Sequence, residues 1–244
     1  IMVNSNTWRD YFEYFKSKYN VYVLDFYGHG KSTKFPELEL KDLVDQVKDF
    51  IKVKKIDKPI VAGVSLGGLV GGILGALYPD DIGGLILIST TDYDHFFDDL
   101  VHQLTGMMAG FIEPFFNHIT IPFIFEALAQ RSYNKAPDIL SMSINDPMIY
   151  HFQIKGSKKS IFSLMRNHYY DGFTSKFYQK IHSPTLILHG DNDRLISHSN
   201  ALELKKAIPH SVLEIYDQGS HFLMEEEFEW SSQIIEKFLK KNFS

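Results

Sequence analysis

Residues 60–69 read Ile-Val-Ala-Gly-Val-Ser-Leu-Gly-Gly-Leu, an apolar, β-branched run that enters a Gly-x-Ser-x-Gly pentapeptide and continues into a small-residue helix. A strand that turns into a helix within so few residues places the apex residue, Ser65, in a strained backbone conformation, and strain of that kind is retained where it serves function. The turn leaves little room for side chains beside the apex, which reads as the reason for Gly63 and Gly67. The pentapeptide alone arises by chance in about one chain in ten of this length. Its setting carries more weight: a strand before it, and a helix over Leu66 to Leu77 rich in Gly, Ala and Leu after it. Ser65 is therefore the candidate nucleophile.

The elements around this turn alternate. Val21 to Phe26 reads as a buried strand, and Tyr27-Gly28-His29-Gly30-Lys31-Ser32 as a glycine-punctuated loop. From Glu39 to Ile56, Leu43, Val47, Phe50 and Ile51 fall on one helical face. Leu85 to Ser89 is another unbroken apolar strand. Ahead of all these, Ile1 to Asn4 resembles the end of a strand, and Thr7 to Tyr19 carries Trp8, Phe12 and Phe15 at helical spacing after an Asn6 or Thr7 cap. Repeated strand–helix alternation of this kind implies a mostly parallel sheet with helices on both faces, a doubly wound α/β fold.

From Asp92 to about Asp171 the strand signal gives way to helical patterns broken by Pro114, Pro122, Pro137 and Pro147. This stretch reads as an inserted helical cap over residues 92–171, with the core formed by 1–91 and 172–244. A membrane span would need about 18 uninterrupted apolar residues, and Asp98, Asp99, Glu113 and Glu126 interrupt the runs. Alternation resumes with strands at Thr185 to His189 and Val212 to Tyr216, a helix from Ser197 to Ile208, and a last amphipathic helix carrying Trp230, Ile234, Ile235 and Phe238.

Serine is a weak nucleophile unless a base takes its proton and a carboxylate holds that base in the right tautomer. Both partners follow Ser65 at strand ends. Gly190-Asp191-Asn192-Asp193 comes after one strand, and Gln218-Gly219-Ser220-His221 after the next. In an open parallel sheet these ends share one edge, where sites assemble. Eleven histidines are present, yet His221 alone combines a position after the last strand with a preceding glycine turn. His29, between two glycines, reads as a turn residue.

Together these stretches resemble the capped serine α/β-hydrolases. The likeness runs from Trp8 to the C-terminus and rests on Asp25 to Ser32, the turn at Gly63 to Gly68, Tyr78-Pro79 through Thr90, the acid turn Gly190 to Asp193 and the histidine loop Gly219 to Phe222. The resemblance implies a triad of Ser65, Asp193 and His221, with Asp193 chosen over Asp191 because the family's acid turn commonly reads Gly-x-x-Asp. It also implies an oxyanion hole with one N–H from Leu66 and another from a loop ahead of Trp8, which here leaves Asn4 and Ser5 as candidates. Members usually carry further strands and a His-Gly loop at that end. Either the chain is a shortened form of its gene product, or Asn4-Ser5 replaces His-Gly.

No His, Asp or Glu group shows metal-ligand spacing, so no metal is expected and no cofactor is called for, and the resemblance implies a small acyl or ester compound as substrate. The competing reading is a receptor that keeps the pocket and turns over slowly or not at all. A net charge of −5 offers polyanions no attraction, so nucleic acid is not an expected partner. Zero cysteines exclude a disulfide framework and thiolate-bound zinc. With no basic-then-apolar leader ahead of the first element, cytoplasm is the expected location.

Overall fold

The computed structural model describes residues 4–90, 92–96, 131–134 and 154–243. Most of the stretch read as a cap therefore lies outside the described residues. A short 3-10 turn over Ser5–Trp8 leads into α1 (Arg9–Phe15), and α2 (Leu40–Lys54), β1 (Ile60–Val64), α3 (Leu66–Leu77), β2 (Gly84–Ile88) and α4 (Tyr93–Phe96) follow. Next come α5 (Ser157–Arg166), a 3-10 turn at Ser175–Lys180, β3 (Thr185–Gly190), α6 (His198–Ala207), β4 (Val212–Tyr216), α7 (Leu223–Glu226) and α8 (Phe228–Phe243).

Helix boundaries follow local chemistry. Glu39 and Asp42 form a reciprocal capping box at the start of α2, and Lys52 and Lys54 occupy its last turn, where the negative end of the helix dipole favours cations. The Ser197 hydroxyl accepts from the Ser199 N–H to open α6. At the N-terminus it is the Asn4 side chain, rather than Asn6 or Thr7, that accepts from the Asn6 N–H and caps the first turn. The buried face of α1 is Tyr11 and Phe15, an i, i+4 pair, whereas Phe12 stands out to solvent.

The sheet has strand order β1-β2-β3-β4, and every pair is parallel. Side-chain alternation divides its apolar residues between two faces. Leu85, Leu87 and Ile187 join Leu43, Leu69 and Ile73 on one side, while Ile86, Ile88, Leu186 and Leu188 join Tyr11, Phe15, Ile235 and Phe238 on the other. This is the doubly wound arrangement that the alternating elements imply. Leu164 of α5 is buried in the first of these clusters, and the Leu38 N–H donates to the Ser163 Oγ at 2.9 Å. A helix within the stretch read as the cap thus packs into the main core.

One expected strand is not formed. Residues 21–26 form no regular element and are not paired into the sheet, in which β1 is the terminal strand on that side. Between β1 and this segment lies an apolar cavity of about 420 Å³, lined by Phe15, Val21, Val23, Ile60, Val64 and Ile235 among others. A strand is defined by its neighbour's hydrogen bonds, and this segment shares none of the sheet's ladders. The run read as a buried strand is therefore neither paired into the sheet nor fully buried, and Tyr22 within it is exposed.

Candidate active site

At the junction of β1 and α3 the backbone reverses in one residue. Ser65 adopts φ 53° and ψ −118°, a region costly for a side-chain-bearing residue, at about 1–3 kcal/mol. Its N–H donates to the Ile88 carbonyl at 2.9 Å and its carbonyl accepts from the Leu69 N–H at 3.0 Å, so strand β2 and the first helical turn both fix the strained residue. A Cβ at Gly63 would overlap the Gly67 carbonyl, and one at Gly68 would overlap Thr90. Gly67 is different: its nearest neighbour across the space would be Phe26 at 3.9 Å. The crowding that the sequence reading placed at Gly63 and Gly67 falls on Gly63 and Gly68.

Asp193 lies three residues beyond the end of β3 and is almost fully buried. One carboxylate oxygen, Oδ1, accepts the Leu195 and Ile196 N–H groups at 2.8 and 2.9 Å, and the other, Oδ2, accepts the His221 Nδ1–H at 2.8 Å. Because an ionised carboxylate can only accept, Nδ1 carries a proton, so in the neutral imidazole Nε2 is the nitrogen with the lone pair. Burial alone pushes the Asp193 carboxyl up, but the neighbouring His221, its hydrogen bond, His189 and the Ile196 N–H outweigh it and hold the group below its ordinary value. Asp191 is engaged elsewhere, its Oδ1 accepting the Gln218 N–H at 2.6 Å.

A second histidine stands behind this pair. His189, within β3, is fully buried. Its Nε2 lies 2.9 Å from the Ile196 carbonyl and 3.5 Å from Asp193 Oδ2. Burial pushes its pKa down, so it stays neutral, with Nε2–H donating to Ile196. The sequence criterion of a place after the last strand behind a glycine turn selects His221 and leaves His189, inside a strand, aside. Its spacing of four residues from Asp193 was the available signal.

The expected oxyanion donors are split. Leu66 opens α3, where a helix leaves its N–H groups without an intrahelical acceptor. The Ser5 N–H, however, donates to Asp25 Oδ1 at 2.7 Å, while the Asn4 side chain and carbonyl accept from Asn6 and Thr7. In this conformation Ser5 therefore cannot offer its N–H to a substrate oxygen. The cause is Asp25, whose other oxygen accepts the Lys31 N–H at 2.8 Å and whose carbonyl accepts from Gln46 and Ser32. His29 lies in a turn, as its two flanking glycines imply, and is buried there, with Nδ1 3.0 Å from the Tyr27 carbonyl. Among the described residues no group of three His, Asp or Glu side chains could hold a metal ion.

Ser65, Asp193 and His221 thus follow β1, β3 and β4, all at the carboxyl edge of one parallel sheet. The profile of the alpha/beta hydrolase fold family matches residues 2–228. The chain belongs to this family. Among its α/β-hydrolase relatives is human monoacylglycerol lipase ABHD6, 25% identical over 253 residues, a match covering 97% of this chain and 72% of that protein. Mouse epoxide hydrolase 4 is 24% identical over 253 residues, covering 96% of this chain and 69% of its own length. In three dimensions the α/β-hydrolase is similar to an esterase from Thermogutta terrifontis, with a TM-score of 0.81 at 18% identity over 99% of this chain and 87% of that one. Among the described residues no helix is long and apolar enough to cross a membrane.

Proposed function

We propose that this α/β-hydrolase is a serine hydrolase that cleaves an ester or related acyl bond of a small, partly apolar substrate through an acyl-enzyme. One observation carries the reading: His221 donates from Nδ1 to the buried Asp193 carboxylate, and this pair shares a sheet edge with the strained Ser65. In the proposed cycle the Ser65 Oγ attacks the carbonyl carbon as its proton passes to His221 Nε2. Asp193 stabilises the imidazolium that forms. The carbon–oxygen bond to the leaving group breaks as Nε2 returns the proton to the departing alcohol. Water then repeats the exchange, giving up its proton to His221, releasing the acid and restoring Ser65. The Leu66 N–H supports the developing oxyanion.

Relatives named as monoacylglycerol lipases support an acyl substrate. The phenylalanines and methionines of the stretch read as the cap support an apolar acyl portion, so catalytic efficiency is expected to rise from acetyl to butyryl p-nitrophenyl esters. In the family, epoxide opening uses an aspartate at the elbow, where this chain has Ser65. A cysteine-free chain suits a reducing compartment, and we place the protein in the cytoplasm.

One observation favours a second reading, a ligand-binding protein with slow turnover. The Ser5 N–H is held by Asp25, and loss of one oxyanion donor costs about 10²–10³-fold in turnover. A fluorophosphonate probe separates the two. An active hydrolase is labelled rapidly and stoichiometrically at Ser65, and Ser65→Ala loses both labelling and about 10⁴-fold or more of ester turnover. Slow labelling at Ser65 selects the binding protein, and labelling elsewhere rejects the triad.

A further inference from the structure

Residues 131–134, within the stretch read as the cap, lie across both loops that carry the proposed acid and base. The Phe222 N–H donates to the Ser132 carbonyl at 3.2 Å, and the Tyr133 ring stacks on Phe222 with centroids 4.8 Å apart. Arg131 Nη2 donates to the Arg194 carbonyl at 3.3 Å. The centre of this contact is Asn134, which uses three groups at once. Its Nδ2 donates to the Gln218 carbonyl on the histidine loop, and its Oδ1 accepts from Asn192 Nδ2 at 2.8 Å on the acid loop. Its backbone N–H donates to Glu226 Oε2 at 3.1 Å, and that same oxygen accepts from the Ser220 hydroxyl beside His221. A carbonyl can only accept, so the bond to Gln218 leaves the Asn134 amide one orientation that satisfies both partners.

We propose that Asn134 is a positioning residue that locks the acid loop to the histidine loop and so sets the alignment of His221 on Asp193. Asn192 immediately precedes Asp193, and Gln218 lies three residues before His221. The two loops also meet directly. The Asn192 N–H donates to the Gly219 carbonyl at 3.0 Å, and Gly190 and Gly219 approach so closely that neither has room for a Cβ. Those backbone contacts hold the bases of the loops together. Asn134 ties the Asn192 side chain to the Gln218 carbonyl from the opposite side and is supplied by a segment outside the sheet. A displacement of residues 131–134 is thereby passed to the hydrogen bond between His221 and Asp193, whose misplacement by about 1 Å would cost on the order of 10²-fold in rate.

The inference rests on the triad reading above, and the test separates the two. Asn134→Ala is expected to lower kcat on p-nitrophenyl butyrate by about 10-fold or more with KM within twofold, and to slow fluorophosphonate labelling of Ser65 in proportion. In an Asp193→Asn background the same substitution is expected to cost less than twofold, because the alignment it maintains is already lost. A purely structural role would add its full effect in both backgrounds, and that result overturns the proposal, as does wild-type kcat in Asn134→Ala. Should Asn134→Ala fail to fold, Asn192→Ala removes the bond to the acid loop alone and is read in the same cycle. If Asp193→Asn itself keeps wild-type turnover, the triad reading fails and takes this inference with it.

Discussion

The Ser5 backbone N–H donates to Asp25 Oδ1 at 2.7 Å, which ties the turn ahead of α1 to the glycine loop that begins after residue 26. The same carboxylate holds the Lys31 N–H. Hydrogen bonds to a charged acceptor contribute about 1.5–3 kcal/mol each, less where solvent reaches them. Asp25→Ala is therefore expected to destabilise the fold by about 2 kcal/mol, read as a lower denaturant midpoint at unchanged slope. An unaltered midpoint would show that the clasp holds nothing.

The two acids of the Gly190 to Asp193 turn have different partners, His221 for Asp193 and the Gln218 N–H for Asp191. Asp193→Asn should lower kcat by about 10⁴-fold, because the imidazole loses the carboxylate that selects its tautomer. Asp191→Asn should cost less than about 10-fold. Steady-state kinetics on a p-nitrophenyl ester decides, and the reverse ranking would overturn the assignment.

Glu225 supplies a pH dependence in the opposite direction to Asp193. Burial pushes its carboxyl up, partly offset by hydrogen bonds from Tyr133 and Thr7, with Asp10 and Glu226 nearby adding to the rise. A carboxyl whose folded pKa is raised binds more protons folded than unfolded, so it costs stability as pH climbs above its ordinary value near 4.5. Glu225→Gln keeps an acceptor for the Tyr133 hydroxyl and removes the charge. It should raise Tm at pH 7, with the gain fading as pH falls towards 4. Asp193, held below its ordinary value, contributes stability above that value that is lost on acidification. A Glu225→Gln gain that is equal at pH 4 and 7 would exclude the buried charge as its source.

At the elbow, Gly63→Ala places a methyl group against the Gly67 carbonyl, whereas Gly67→Ala meets nothing nearer than 3.9 Å. Overpacking costs about 1–3 kcal/mol. Alanine for glycine inside a helix gains up to about 1 kcal/mol. Thermal melts should rank Gly67→Ala at or above wild type and Gly63→Ala well below it. Equal losses would show that the pentapeptide needs both glycines for the backbone alone.

Local motifs carried the sequence reading furthest. Ser65, Asp193 and His221 each follow an apolar strand and a glycine turn, and a parallel sheet gathers such strand ends at one edge, so their placement along that edge was readable without tertiary detail. What depended on contacts between distant segments was not. Val21 to Phe26 has a strand's composition, but whether it joins a sheet is decided by its neighbour. Asp25 stood near the end of that run with no partner legible in the sequence, and the residue that holds its carboxylate oxygen, Ser5, lies twenty residues earlier. Trp8, Phe12 and Phe15 were chosen for hydrophobicity, while the helix buries Tyr11, whose hydroxyl reaches the Met224 carbonyl and Ser231. Asn134 offered no signal, since its partners lie 58 and 84 residues away.

The cavity beside β1 divides the molecule by how it opens. Residues 5–26 are joined to the four-stranded sheet through side chains such as Tyr11 and Phe15 and through the Asp25 clasp, with no ladder of backbone bonds across the gap. A ladder makes neighbouring strands exchange their amide protons only when the whole sheet opens, and a segment without one can detach by itself. Amides of α1 should consequently exchange through a smaller opening than those of β2 and β3, and the molecule should shed this layer as a unit while Ile86, Leu87 and Leu188 remain protected.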